Sequence, residues 1–326
     1  MVKINKLRIK QVAEVIKRLP KTEKGLNFYS FYANGKEIVA EDMYPRLHHP
    51  GTIDFFFFVS LHQYGFWHGD KNGYVKPMIG IFCGKQEKGS DLVYKSAKKA
   101  LDKNPYIFSP SSLIEINSVD KLAEIFHDDN GFIDFPDPHT RVTLTQEYAK
   151  WFFKKQTTPR NIVQEANAQN KPLKAFRKML REIPGYNKDP LEKKNLLLAM
   201  SLANRPERFL EIKDPQNWAP IIDYHLMRVS LRLGLVELSP DQIKTNQNRL
   251  WVDAKTEFEI RKAVYDAVSL LIKISGRPMP FIDEKLWMAR KYCPETWAPD
   301  CKKCLFVKVC ARRINLFQPV FRTTNY

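Results

Sequence analysis

Four cysteines stand within eighteen residues: Cys293, Cys301, Cys304 and Cys310, in CPETWAPDCKKCLFVKVC. Their spacing is C-x7-C-x2-C-x5-C, and the fifth cysteine, Cys83, lies far away and reads as a plain apolar residue. Thiolates so close together in a chain with reduced thiols mean metal more often than disulfides. Zinc ribbons tend to present two C-x2-C knuckles, and here there is one. A cubane cluster needs four thiolates converging on one point, which a single compact loop can supply. The spacing therefore points to a [4Fe-4S] cluster, ahead of zinc, with buried free thiols or disulfides as the bland alternatives.

Three other stretches carry side chains suited to chemistry. In PIIDYHLMRVSLRLG, Asp223 opens an apolar-periodic helix that also carries His225 and Arg228. As an N-cap its carboxylate accepts backbone N–H bonds, and the positive end of the helix dipole keeps it ionised. The densest aromatic run, DFFFFVSLHQYGFWHGDKNGY, spans residues 54–74 and includes Phe66, Trp67 and Tyr74. Such an excess is core, or else a platform on which a base stacks. Around the cysteines, Lys302, Lys303, Lys308, Arg312 and Arg313 are opposed by Glu295 and Asp300. They either meet phosphates or merely solvate a metal-bound tail.

These residues need a frame. Leu7, Ile9, Val12, Val15, Ile16 and Leu19 form the stripe of one helix. Residues 26–41 read as a hairpin turning at Asn34-Gly35, a pair that tolerates positive φ. Phe55–Val59 suits a buried strand or a helix segment, which periodicity cannot separate. From about residue 145 the pattern is helical, punctuated by Pro159, Pro172, Pro184 and Pro190. Long apolar-periodic stretches follow at 191–203, 223–236 and 258–274. The expected fold is mainly α with an α+β N-terminal part, divided into 1–145, 146–290 and a cysteine loop with its tail at 291–326.

Bulk properties narrow the function. Lys plus Arg outnumber Asp plus Glu by 53 to 36, a formal charge of +17. That surplus favours a polyanion such as nucleic acid, or simply a basic surface. No Gly-rich phosphate loop occurs, which argues against nucleoside-triphosphate and dinucleotide chemistry. Residues 1–19 are charged throughout, so no signal peptide is expected, and no apolar run approaches membrane-span length. The expectation is a monomer with no membrane association, cytoplasmic, and nucleoid-associated if it binds DNA.

Two resemblances sharpen this. LREIPGYNKDPLEKKNLLLAM followed by D-x-H-x-x-R and the cysteine loop resembles the helix-hairpin-helix DNA glycosylase superfamily, in its iron–sulfur, endonuclease III-like branch. The hairpin departs from that family's L-P-G-x-G by lacking the second glycine, and the first cysteine gap is seven residues rather than six. The segments FFFFVSLHQYGFWHGDKNGYVKPM, IIDYHLMRVSLRLGLVELS and TEFEIRKAVYDAVSLL resemble the queuosine salvage protein family, in patches over roughly 50–275. That family hydrolyses the N-glycosidic bond of a 7-deazaguanine nucleotide and is similar in fold to the glycosylases; the cysteine loop is not part of its pattern.

Both resemblances imply cleavage of a base–sugar bond, in a two-lobed glycosylase-like fold. Such a reaction develops an oxocarbenium-like sugar, which a carboxylate beside C1′ stabilises while orienting water. Asp223 takes that role. Lys194, or its neighbour Lys193, lies near the position of the amine nucleophile of lyase-capable members. Phe66, Trp67, Tyr74, His225 and Arg228 become substrate contacts, with His225 a hydrogen-bonder rather than a base. The first expectation is a DNA glycosylase that flips a modified or damaged base. The alternatives are a queuosine-type nucleotide or nucleoside hydrolase, and a non-catalytic nucleic-acid-binding iron–sulfur protein.

Overall fold

The computed structural model describes residues 2–20, 26–33 and 36–326. Among these the architecture is mainly helical, with short strands paired only two by two. The hairpin forms between Ser30–Ala33 and Lys36–Val39, antiparallel; its turn residues Asn34 and Gly35 lie outside the described residues. The phenylalanine run is a helix, Thr52–Leu61, with Phe55, Phe56, Phe57 and Phe58 all fully buried. A helix apolar on every side must be wrapped on every side. Each buried phenylalanine is worth about 1.5–3 kcal/mol relative to exposure.

The chain builds two principal cores. One gathers apolar side chains from Phe28 to Ile221, with Met279. The other joins Ile9, Val12, Ala13 and Ile16 to residues from Ile222 to Tyr326. The boundary between the two cores falls just before Asp223, between Ile221 and Ile222. The N-terminal helix, Lys6–Lys17, packs along the long helix Ala254–Ser275. Beside them strand Lys3–Ile4 pairs with Val236–Glu237.

Between the cores lie the helices Lys193–Asn204 and Tyr224–Leu233. The turn before the first of them, IPGYNKDP, is packed inward. Tyr186 is buried and its hydroxyl donates to the Phe57 carbonyl. Gly185 has φ +84°, and a Cβ there would meet Leu61 at 2.3 Å and Leu144 at 2.8 Å. A turn glycine pressed into the core has a packing reason to be glycine.

Candidate active site

The C-terminal end of the phenylalanine helix is held by three cations. Lys194 Nζ donates to Leu61 O at 2.6 Å and Lys193 Nζ to Gln63 O at 2.7 Å. Arg141 donates to His62 O at 2.9 Å and to Tyr64 O at 2.6 Å. Carbonyls at a helix C-terminus lack intrahelical donors and carry the negative end of the dipole, so cations suit them. This clamp fixes Gly65 and Phe66, which follow directly.

Phe66 lies against a cleft of about 270 Å³, shared with Pro77, Lys88, Gly89, Ser90, Tyr224, His225, Arg290 and Glu295. Gly89 has φ +55°, and a Cβ there would stand 3.5 Å from both the Phe66 ring and the Tyr224 hydroxyl. Trp67 and Tyr74 are elsewhere. They stack on each other with ring centroids 5.7 Å apart and pack with Phe317, Val320 and Trp251. Tyr74 OH donates to Phe321 O at 2.8 Å. Neighbouring residues of an extended segment face opposite ways, so Phe66 reaches the cleft while Trp67 supports the C-terminal tail. Neither Trp67 nor Tyr74, both expected as substrate contacts, is among the residues that line this cleft.

Asp223 caps its helix, accepting from Leu226 N at 2.8 Å through Oδ1. The next two residues, Tyr224 and His225, wall the cleft. Burial raises the Asp223 carboxyl above its ordinary range, opposed by the charge of Lys193. Burial brings Lys193 down to about 8, against the pull of Asp223, Asp189 and Asp283. Asp283 is buried and its carboxyl is pushed well up by burial and by the charge of Asp223. Its Oδ1 has no hydrogen-bond partner among the described residues. Asp223, Lys193 and Asp283 feel one another's charge, with both carboxyls raised and the lysine lowered, which makes them a candidate acid–base set.

Of the two lysines, Lys193 belongs to this set. Lys194 is fully sequestered: its ammonium sits 4.5 Å over the Tyr64 ring and binds main-chain carbonyls. Burial holds its pKa well below the ordinary lysine range. Asp283 and Lys193 had only faint signals in the sequence. Met279, Ile282 and Leu286 put Asp283 on an apolar helix face, where an aspartate needs a reason.

Both ends of the set are positioned by one buried ion pair. Arg261 grips Asp189 with two 2.8 Å bonds and donates from Nε to Ile222 O at 3.0 Å. Asp189 in turn accepts from Leu191 N and Lys193 N. The backbone just before Asp223 and the first turn of the lysine helix are thereby tied to one point.

His225 Nδ1 lies 3.0 Å from Arg228 Nη2. Arginine can only donate, so Nδ1 accepts and the imidazole proton is on Nε2. Burial and the charge of Arg228 keep this histidine neutral, well below its ordinary pKa. Arg228 is fully buried and donates to Glu295 at 2.8 Å, so it acts behind the cleft wall.

A pH prediction follows. With Asp223 needed as carboxylate and Lys193 as ammonium, activity rises as Asp223 loses its proton, above the ordinary aspartate range. It falls again as Lys193 loses its proton at about 8. In a rate–pH profile, Lys193→Met removes the alkaline limb; an unaltered limb in that variant refutes the assignment.

The four cysteines all line a second cavity, of about 450 Å³, with Val229, Leu233, Phe306 and Val307 among its apolar walls. Among the described residues no three His, Cys, Asp or Glu side chains are grouped closely enough to hold one metal ion. Lys302, Lys303, Lys308 and Arg312 are exposed around this loop, with Lys303 paired to Asp300 at 2.9 Å and Arg313 to Glu237 at 3.7 Å. No helix among the described residues is long and apolar enough to cross a membrane.

A search of curated proteins finds no match to this chain. The profile of the queuosine salvage protein family matches residues 43–280. That span holds Phe66, the cation clamp, the Asp189–Arg261 pair and Asp223, while Asp283 and the four cysteines lie beyond it. With most of its length and nearly all of the acid–base set inside the matched span, the chain belongs to the queuosine salvage protein family.

Proposed function

We propose that the protein hydrolyses the N-glycosidic bond of a 7-deazaguanine nucleotide or nucleoside of the queuosine type. The observation that carries this is the set Asp223, Lys193 and Asp283, beside an aromatic-walled cleft, in a chain of the salvage family. The base stacks against Phe66 and Tyr224. Asp223 as carboxylate stabilises positive charge developing at C1′ and orients the attacking water. Lys193 keeps that carboxylate ionised despite its burial. Asp283, held protonated, donates a hydrogen bond to the ligand through a carboxyl that the protein leaves partly unpaired. Lys88 and Arg290 give one side of the cleft a positive wall, which suits a phosphate on the sugar.

DNA glycosylase activity, the first expectation from the sequence, has less support. The turn lacks the second glycine of the glycosylase hairpin, and one face of Gly185 packs against Leu61 and Leu144. The family match favours the salvage reaction instead. The deciding assay incubates the protein with queuosine 5′-monophosphate, with queuosine, and with duplexes carrying modified bases. Free queuine base from the monomeric substrates is expected; release from duplexes alone overturns the reading.

The pocket gives a further expected outcome. Stacking on one ring is worth about 1–3 kcal/mol per base. Phe66→Ala therefore raises KM roughly ten- to a hundredfold by that estimate. Trp67→Ala acts on thermal stability more than on KM, because its ring packs beneath the tail. Equal KM effects in the two variants would refute this placement.

A further inference from the structure

The loop from Cys293 to Cys310 has little regular structure. Its regular structure is one three-residue turn, Cys301–Lys303, and Trp297 on it is 64% exposed. Yet Glu295, two residues past Cys293, is buried and lines the active-site cleft. Its carboxylate accepts from Arg228 at 2.8 Å and from Lys88 at 3.4 Å, and its carbonyl accepts from Arg249 at 3.0 Å.

The helix that Asp223 opens reaches both the cleft and the cysteines. One turn beyond Arg228, Arg232 donates to Pro294 O at 2.7 Å and to the Cys293 sulfur at 3.3 Å. The Cys310 thiol in turn donates to Arg232 O at 3.5 Å. The two arginines thus hold adjacent parts of one loop, cysteine end and glutamate end.

The cysteine cavity fits a polynuclear group better than a single ion. A tetrahedral zinc site draws its sulfurs to about 2.3 Å from one centre. Here all four thiols line one cavity with apolar walls between them, yet among the described residues no three of them are grouped closely enough to grip a single ion. A cluster brings its own iron and sulfide to fill such a centre and is ligated by four cysteine thiolates.

We propose that the four cysteines hold an iron–sulfur cluster whose task is to brace the loop that carries Glu295 into the wall of the cleft. The cluster is a structural staple, and no electron transfer is assigned to it. Glu295 is a positioning residue: it fixes Arg228, and through Arg228 the tautomer of His225. The effect on substrate rests on the hydrolase reading above, but the metal and the bracing do not.

The test uses the full chain purified without air. Iron and acid-labile sulfide are expected in equal amounts, about four of each per chain, with broad visible absorption. Zinc without sulfide, or a fully folded protein with neither, overturns the cluster. Cys301→Ser should lose the iron and expose Lys302, Lys303 and Lys308 to trypsin at least tenfold faster. An iron-free protein that resists trypsin like the parent overturns the bracing. Glu295→Gln, with iron retained, should raise KM for queuosine 5′-monophosphate about tenfold with a smaller change in kcat, and Glu295→Asp should recover part of it. Parental KM in an iron-replete Glu295→Gln overturns the link to the cleft. Metal content and trypsin protection need no substrate, so their failure is separate from failure of the hydrolase reading.

Discussion

Asp223→Asn should abolish base release, lowering kcat by about a thousandfold or more while leaving substrate affinity equal or tighter. Preorganised electrostatic groups of this kind are worth roughly 10²–10³ in kcat when a single donor is removed, and a full charge facing a developing cation does more. The amide keeps the shape of the carboxylate, and its oxygen still caps the helix by accepting from Leu226 N. The loss therefore reads on chemistry and not on folding. Single-turnover assays with queuosine 5′-monophosphate, together with equilibrium binding, separate the two. A variant that turns over at near-parental rate would mean that Asp223 is a helix cap and nothing more.

Arg261→Met should cost about 3–5 kcal/mol of stability, because removing one partner of a buried ion pair leaves the other uncompensated. Asp189 would be stranded among apolar neighbours, and Ile222 O would lose its donor. Arg261→Lys should recover only part, since an ammonium cannot supply both the two-pronged grip and the bond to Ile222. The denaturation midpoint measures the loss. Base release should fall further than stability explains, because the same arginine sets both Asp223 and the start of the lysine helix. An unchanged midpoint in Arg261→Met would contradict the role given to this pair.

How much of this was legible in the sequence depends on distance along the chain. Local signals read well. Helices begin at Pro159 and Pro172, Asp223 caps its helix, and Ile9, Val12 and Ile16 of the N-terminal stripe are buried, although Leu7 is 69% exposed. The phenylalanine run stayed ambiguous because an element buried on every side has no periodic contrast between faces. Its helical form is settled by packing on all sides and by cations that arrive from residues 141, 193 and 194. Phe66 and Trp67 were indistinguishable as neighbours in an aromatic run; only the backbone's alternation separated them. The Asp189–Arg261 pair was invisible because its partners stand 72 residues apart, and the faint signal of Asp283 could not name Asp223 or Lys193 as its neighbours. Lys193 and Lys194 could not be told apart for a related reason. Both sit in LEKKN, and which one faces the carboxylates depends on the helix's rotation in the fold.

The N-terminal helix packs in a core completed by residues from Ile222 onward. During synthesis Ile9, Val12 and Ile16 therefore emerge from the ribosome about 250 residues before the helix they cover, Ala254–Ser275, is complete. At about 5–20 residues per second this apolar stripe stays uncovered for roughly twelve to fifty seconds. The Phe28–Ile221 core can close in that interval, as a folded body strung between two unfinished halves. The nascent chain is then a natural client for chaperones that grip short apolar helices, and detaching residues 1–20 would leave the second core open on the face of the long helix.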